Sequence, residues 1–306
     1  MKKDNINFIF FGTPDVASET LEILKQAGFL PSLIVTAPDR PAGRKMLLTP
    51  PPVKAWAIAN NIPYIQPENL KIKTEIVFTT SSQAGEPRKA ISQQGNMRES
   101  KNNFRFDFAI VVAYGKILSE EILKAPRLGS INIHYSLLPK YRGASPVESA
   151  ILNGDTETGV SIQQMELKMD TGPILAQEKV AIMPDEKAPE LRKRLIKLGG
   201  ELLVKTLPDF IEGKITQTPQ DESLSTYCKK MTKEDGLVNL EVEPPSALYN
   251  KFRAYATWPR TYFFKDGLPA QAGKRIIITD AVLENNQFII KKVIPEGGKE
   301  RTYSEL

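Results

Sequence analysis

The chain has 306 residues, room for about two domains, and its 41% hydrophobic and 25% charged content supports a packed core and excludes a disordered chain. One cysteine, Cys228, and one histidine, His134, exclude an internal disulfide and a thiolate- or histidine-rich zinc cage. A formal charge of +5 suits either a lysine-rich surface or a polyanionic partner such as nucleic acid, and charge alone does not separate the two.

The leading MKKDN is polar and basic, and INFIFF is far too short for a signal core and runs into GTPD rather than a cleavage site. No apolar run approaches the ~18 residues of a membrane span. The expectation is a cytosolic protein with no membrane contact. INFIFF (6–11) reads as a buried strand ending at Gly12. Val16, Thr20, Leu21 and Leu24 then recur at helical spacing until Gly28. LPSLIV (30–35) is the next strand, VKAWAIANN (53–61) a short helix, and IPYIQ (62–66) a strand.

TTSSQAGEPRKAISQQGNMRESKNN (79–103) has no periodicity and reads as a mobile polar insertion. FDFAIVVAY (106–114) and SINIHY (130–135) are strands, with LSEEILKAP (118–126) helical between them. Two further strands, 158–166 and 173–183, flank the loop KMDTG. A long amphipathic helix, PELRKRLIKLGGELLVKTLPDFIEG, follows, with Pro208 bending it or starting another.

Strand–helix alternation with continuous Val/Ile runs predicts an α/β fold, a Rossmann-like, doubly wound, mostly parallel sheet over residues 1–209. TQTPQDESLST lies in a polar linker, 210–223. Short strand-like pieces broken by KDG and ENN predict an antiparallel barrel or sandwich over 224–306.

Absences narrow the chemistry. The sequence has no GxxxxGK[ST] loop, no GxGxxG after the first strand and no GxSxG elbow around Ser136 or Ser145. Asn132 and His134 stand two apart on one strand, so their side chains share a face, at the strand end where such sheets bind ligands. That pattern suits a catalytic pair, and equally two polar groups satisfying each other in the core. Asp170 in KMDTG reads alone as a turn residue. Together the three match acyl transfer to an amine without a covalent intermediate: an amide donor for an oxyanion, an imidazole for a proton, and a carboxylate to orient the imidazole or accept a proton through water.

INIHYSLLPKYRG followed by MDTG resembles the folate-dependent formyltransferases, which carry Asn-x-His, SLLPxxRG and a downstream Asp-x-Gly. FFGTPDVA, TAPDRPAGR, VVAYGKIL, STYCKKMTKEDG and RAYATWPRTYFF extend the likeness in order over nearly the whole chain. The resemblance implies an OB-like C-terminal barrel that binds tRNA. It implies 10-formyltetrahydrofolate as a dissociating co-substrate, with no tightly bound cofactor or metal. The acceptor is then the amino group of methionine esterified to initiator tRNA, the enzyme is expected to be a monomer, and the product serves translation initiation.

By position, Asn132, His134 and Asp170 take the catalytic places. Ser136, Leu137, Leu138 and Pro139 take the folate-binding places, with Tyr114, Gly115, Ile117 and Leu118 along the pterin pocket. Arg40, Arg44 and Lys45 match the loop that meets the acceptor stem. Three features depart from the family pattern: the bulky Tyr135 after the histidine, KMLLT where relatives carry glycine and lysines, and the length of 79–103. Glycinamide ribonucleotide, an amino-sugar nucleotide or water are the other acceptors for the same chemistry. A non-enzymatic pterin- or RNA-binding module is the reading from another class.

Overall fold

The structure, a computed structural model, describes residues 6–43, 46–68, 106–265 and 273–306. The 79–103 stretch, Arg44 and Lys45 lie outside the described residues.

Two short pairs, β3 (Arg40–Ala42) with β4 (Leu47–Thr49) and β8 (Arg142–Gly143) with β11 (Tyr227–Cys228), are separate from a seven-stranded sheet that runs in the order β10-β9-β7-β6-β1-β2-β5. Its strands are β1 (Phe8–Gly12), β2 (Leu33–Val35), β5 (Tyr64–Ile65), β6 (Phe108–Val112), β7 (Ser130–His134), β9 (Glu157–Gln164) and β10 (Ile174–Ala181). The first five pair in parallel, and β9 runs antiparallel to β7. Sequence order reverses between β1 and β6, so this is a doubly wound sheet with its switch point there.

β1 and β6 bury all five of their residues, as strands covered on both faces must. On one face the Phe8 and Phe108 rings stack at 5.2 Å, and Phe210 meets Phe108 edge-on at 5.7 Å. Phe210 belongs to the last turns of the helix Ala188–Ile211, which continues through Pro208. On the other face Ile9, Phe11, Ala109 and Val111 form a core with Tyr114, Leu118, Ile122 and Leu123. Gly12 ends β1 because a Cβ there would lie 2.6 Å from the Ala17 Cβ, so only glycine lets the chain turn so tightly into α1 (Asp15–Gln26).

Contacts divide the chain into two compact units that do not follow sequence order. The first comprises Met1–His134, Ser161–Gln177 and Ile196–Gln220; the second comprises Tyr135–Val160, Glu178–Leu195 and Asp221–Leu306. In the second, β12 (Tyr262–Lys265), β13 (Lys274–Glu284), β14 (Gln287–Pro295) and β15 (Arg301–Thr302) form an antiparallel sheet in chain order. Asn285 and Asn286 both take positive φ, 49° and 60°, which gives the two-residue turn announced by ENN the right twist for its hairpin. The helix Pro245–Ala254 lays Leu248, Tyr249 and Phe252 on Ile276, Ile278 and Val293 of this sheet. The helix is further tied by Tyr249, whose hydroxyl donates to Asp185 at 2.8 Å.

No helix of the described residues is long and apolar enough to cross a membrane.

Candidate active site

The polar cluster sits where β7 ends. β7 and β9 pair with Asn132 opposite Gln163 and His134 opposite Ser161. The Asn132 amide donates from Nδ2 to the Val111 carbonyl at 3.0 Å, which orients a half-buried side chain between Ile131 and Ile133. His134 is buried, and its Nδ1 lies 3.6 Å from Asp170 Oδ2, within ion-pair range when the ring is protonated.

Asp170 takes φ +55°, a left-handed conformation that aspartate tolerates better than most residues. The reason for DTG is visible two residues on. A Cβ at position 172 would run into the Gln164 backbone carbonyl, so the loop closes against β9 only with glycine. Asp170 is thereby delivered back toward β7 and β9. The three residues that the sequence singled out for catalysis therefore belong to one cluster.

Two glutamines join them that the sequence pattern did not mark. Gln163, 1% exposed, donates from Nε2 to Asp170 Oδ1 at 2.8 Å and to Asn132 Oδ1 at 3.3 Å. Gln220 donates to the backbone carbonyls of Asp170 at 3.0 Å and Gly172 at 2.7 Å. Gln220 belongs to the polar 210–223 stretch, and Thr218 there also bridges to Ile174. The signal for Gln163 was its place opposite Asn132, which needs the strand register; for Gln220 the sequence holds no signal.

The other candidate residues are placed as follows. Tyr114 and Leu118 are buried in the core beside β6, Gly115 takes φ +80°, and Ile117 is exposed. The turn that holds Tyr114 is tied to the GTPD turn by the Thr13 hydroxyl, which donates to the Tyr114 carbonyl at 3.0 Å. Ser136, Leu137, Leu138 and Pro139 belong to the second unit. There the buried Ser136 hydroxyl donates to the Lys140 carbonyl at 2.6 Å and closes the SLLPK turn, which contains a cis Leu138–Pro139 bond. Tyr135 is half-buried.

Arg142 anchors this turn. Fully buried, it donates to both oxygens of Glu222 at 2.9 and 2.8 Å and to the Tyr227 hydroxyl at 3.2 Å. Tyr227–Cys228 pairs in parallel with Arg142–Gly143. Burial first, then the Asp155 carboxylate that accepts its hydrogen bond at 2.8 Å, pushes the neighbouring Tyr141 hydroxyl well above the usual phenol range.

Arg40 begins a two-stranded hairpin, Arg40–Ala42 with Leu47–Thr49, and pairs with Glu68 at 2.9 Å, both exposed. Such a pair adds little stability. The base of the hairpin is firmer: hydrogen bonds from Lys54 and Gln66 hold the Asp39 carboxyl below the usual carboxylate range. Among the described residues no group of three His, Cys, Asp or Glu side chains is arranged to hold a metal ion.

A doubly wound sheet that gathers an amide donor, an imidazole and a carboxylate at one strand end is the equipment of an acyl-transferring enzyme. The Formyl transferase family matches residues 4–207, and this chain belongs to that family. It is 40% identical over 272 residues to methionyl-tRNA formyltransferase of Chloroflexus aurantiacus, which spans 89% of this chain and 80% of that protein. It is 36% identical over 294 residues to the protein of that name from Halalkalibacterium halodurans, 93% of this chain and 86% of that one.

Among solved structures, the Helicobacter canadensis N-formyltransferase in complex with folinic acid and dTDP-3-aminofucose matches with a TM-score of 0.62. It is 18% identical and covers 92% of this chain and 88% of its own. Methionyl-tRNA formyltransferase from Clostridium thermocellum matches with a TM-score of 0.55 at 13% identity, over 95% and 98%. At such identities these structures bear on the fold alone, and they agree with a Rossmann-like sheet followed by an antiparallel one.

Proposed function

We propose that this protein transfers the formyl group of 10-formyltetrahydrofolate to the free amino group of methionine esterified to initiator tRNA, giving N-formylmethionyl-tRNA. The observation that carries the reading is the Asn132–His134–Asp170 cluster, in a chain 40% identical over most of its length to methionyl-tRNA formyltransferases.

The unprotonated amine attacks the formyl carbon, and the carbonyl oxygen takes up charge. An α-amino group ionises at about 7.7–8.0, so a substantial fraction is already nucleophilic near neutral pH. Asn132, with one N–H on the Val111 carbonyl, offers its other N–H to the developing oxyanion, and His134 donates to the same oxygen. Asp170 steadies the imidazole and accepts the ammonium proton through water. The C–N bond to the folate then breaks, its electron pair returns to the folate nitrogen, and that nitrogen takes up the proton that Asp170 received, which restores the carboxylate. No covalent enzyme intermediate is formed.

Ser136, Leu137, Leu138, Pro139 and Tyr114, Gly115, Ile117 and Leu118 are assigned to the folate. Arg40, Arg44, Lys45 and residues 224–306 are assigned to tRNA, whose acceptor stem meets the 40–45 loop. The catalytic domain is taken as residues 1–209, and the protein acts as a monomer in the cytosol.

The test is formylation of methionyl initiator tRNA by the purified chain with 10-formyltetrahydrofolate. Turnover on tRNA is expected and none on an amino-sugar nucleotide; the opposite pattern overturns the reading.

A further inference from the structure

We infer that Gln163 is a positioning residue of this site: its single amide group orients the oxyanion donor Asn132 and the carboxylate Asp170 together. The inference rests on the proposed formyl transfer and adds to it a residue that neither the sequence motifs nor the chemistry of the step assigns.

The geometry leaves the amide one productive orientation. An ionised carboxylate only accepts, so the Nε2 of Gln163 must face Asp170, and it does so at 2.8 Å. The same nitrogen has a second hydrogen, and Asn132 Oδ1 lies 3.3 Å away. Asn132 in turn donates from Nδ2 to the Val111 carbonyl. With its oxygen held by Gln163 and its nitrogen by β6, the Asn132 amide is not free to flip, and the donor stays on the side where an oxyanion needs it. On Asp170, fixing Oδ1 leaves Oδ2 as the oxygen beside His134, at 3.6 Å.

Packing alone does not account for the residue. Gln163 is 1% exposed, and its Oε1 is buried without a hydrogen-bond partner among the described residues. An orphaned buried acceptor is a cost, and methionine, of nearly the same length and volume, fills the position without it. What methionine lacks is the pair of N–H groups. The register places Gln163 directly opposite Asn132, and from there its amide reaches both partners.

The experiment is a rate comparison with a structural readout. Gln163→Met is expected to lower kcat about 10- to 100-fold, the usual penalty for loosening groups that act on the reacting atoms. KM for the folate and for the tRNA should stay within about threefold, since neither is touched by the lost amide. In an Asp170→Ala background the same substitution should cost about threefold or less, because its main partner is already gone. A full-size loss in both backgrounds, or a KM rise with kcat kept, overturns the inference.

His134 is the only histidine, so untagged protein gives one imidazole Cε1–H resonance by NMR. It should move in Gln163→Met without any substrate, and an unmoved resonance is equally fatal. If the methionine variant does not fold, Gln163→Asn keeps the amide, shortens its reach, and should give the same split. A wild-type chain inactive on tRNA removes the proposed function, while the histidine resonance still decides the role of Gln163.

Discussion

Asn132 and His134 lose different things on truncation. Asn132→Ala removes the donor to the oxyanion and leaves the Val111 carbonyl and the Gln163 amide each one partner short. His134→Ala removes a buried ring next to Asp170. Each is expected to lower kcat by about 10²–10³, the measured scale for one oxyanion-hole donor, with the fold retained by circular dichroism. Near-normal turnover in either variant means the roles are misassigned. That these two residues and Asp170 come together was legible in the sequence because they sit in two recognisable motifs, INIH at the end of a strand and MDTG in the loop before another. Gln163 was not, because β9 carries two adjacent glutamines. A slip of one residue in the β7–β9 register would put Gln164 opposite Asn132 instead, and only the folded sheet decides which glutamine enters the site.

At the scale of elements, two connections hold the site-bearing segments. The MDTG loop depends on Gly172, where any side chain meets the Gln164 carbonyl. Gly172→Ala should destabilise the protein by about 1–3 kcal/mol and lower kcat as well, since relieving the clash displaces Asp170. Thermal unfolding and steady-state rates on the same preparation check this, and a stable, fully active variant contradicts it. The second connection is Arg142 with Glu222. Glu222→Ala strips a fully buried guanidinium of its two charge-assisted bonds, a loss of about 1.5–3 kcal/mol, placed at the lower end because the Glu222 side chain is 61% exposed. Urea unfolding measures it, and an unchanged midpoint removes Glu222 from that role. Neither Gln220 nor Glu222 stands out in a stretch that reads as polar linker. Their partners are a loop backbone and a buried arginine, brought near by tertiary packing rather than by any local pattern.

Across the whole molecule, the parallel core was legible because β1 and β6, buried on both faces, need unbroken apolar runs, and FIFF and FAIVV supply them. The ENN hairpin was legible through its turn chemistry. The division into two units was not, because segments 135–160 and 178–195 join the C-terminal part through contacts such as Tyr249–Asp185, which leave no mark on composition.

Charge also acts at this scale. The chain carries 41 Lys and Arg against 36 Asp and Glu. Lys230, Lys233, Lys292 and Arg301 are exposed in the unit that holds the antiparallel sheet, and Arg40 is exposed on its hairpin. If these surfaces hold tRNA phosphates, binding releases condensed counterions, and the logarithm of affinity falls with the logarithm of salt by roughly one per contact. Three contacts predict that KM for tRNA rises about 40-fold between about 50 and 200 mM salt. The folate, with only a few carboxylates, should show a far shallower slope. Arg40→Ala should flatten the tRNA slope by about one and leave the folate slope unchanged. Parallel slopes for both substrates would separate tRNA use from surface charge. An unaltered slope in Arg40→Ala would mean that the arginine stays with Glu68 while the tRNA is bound elsewhere.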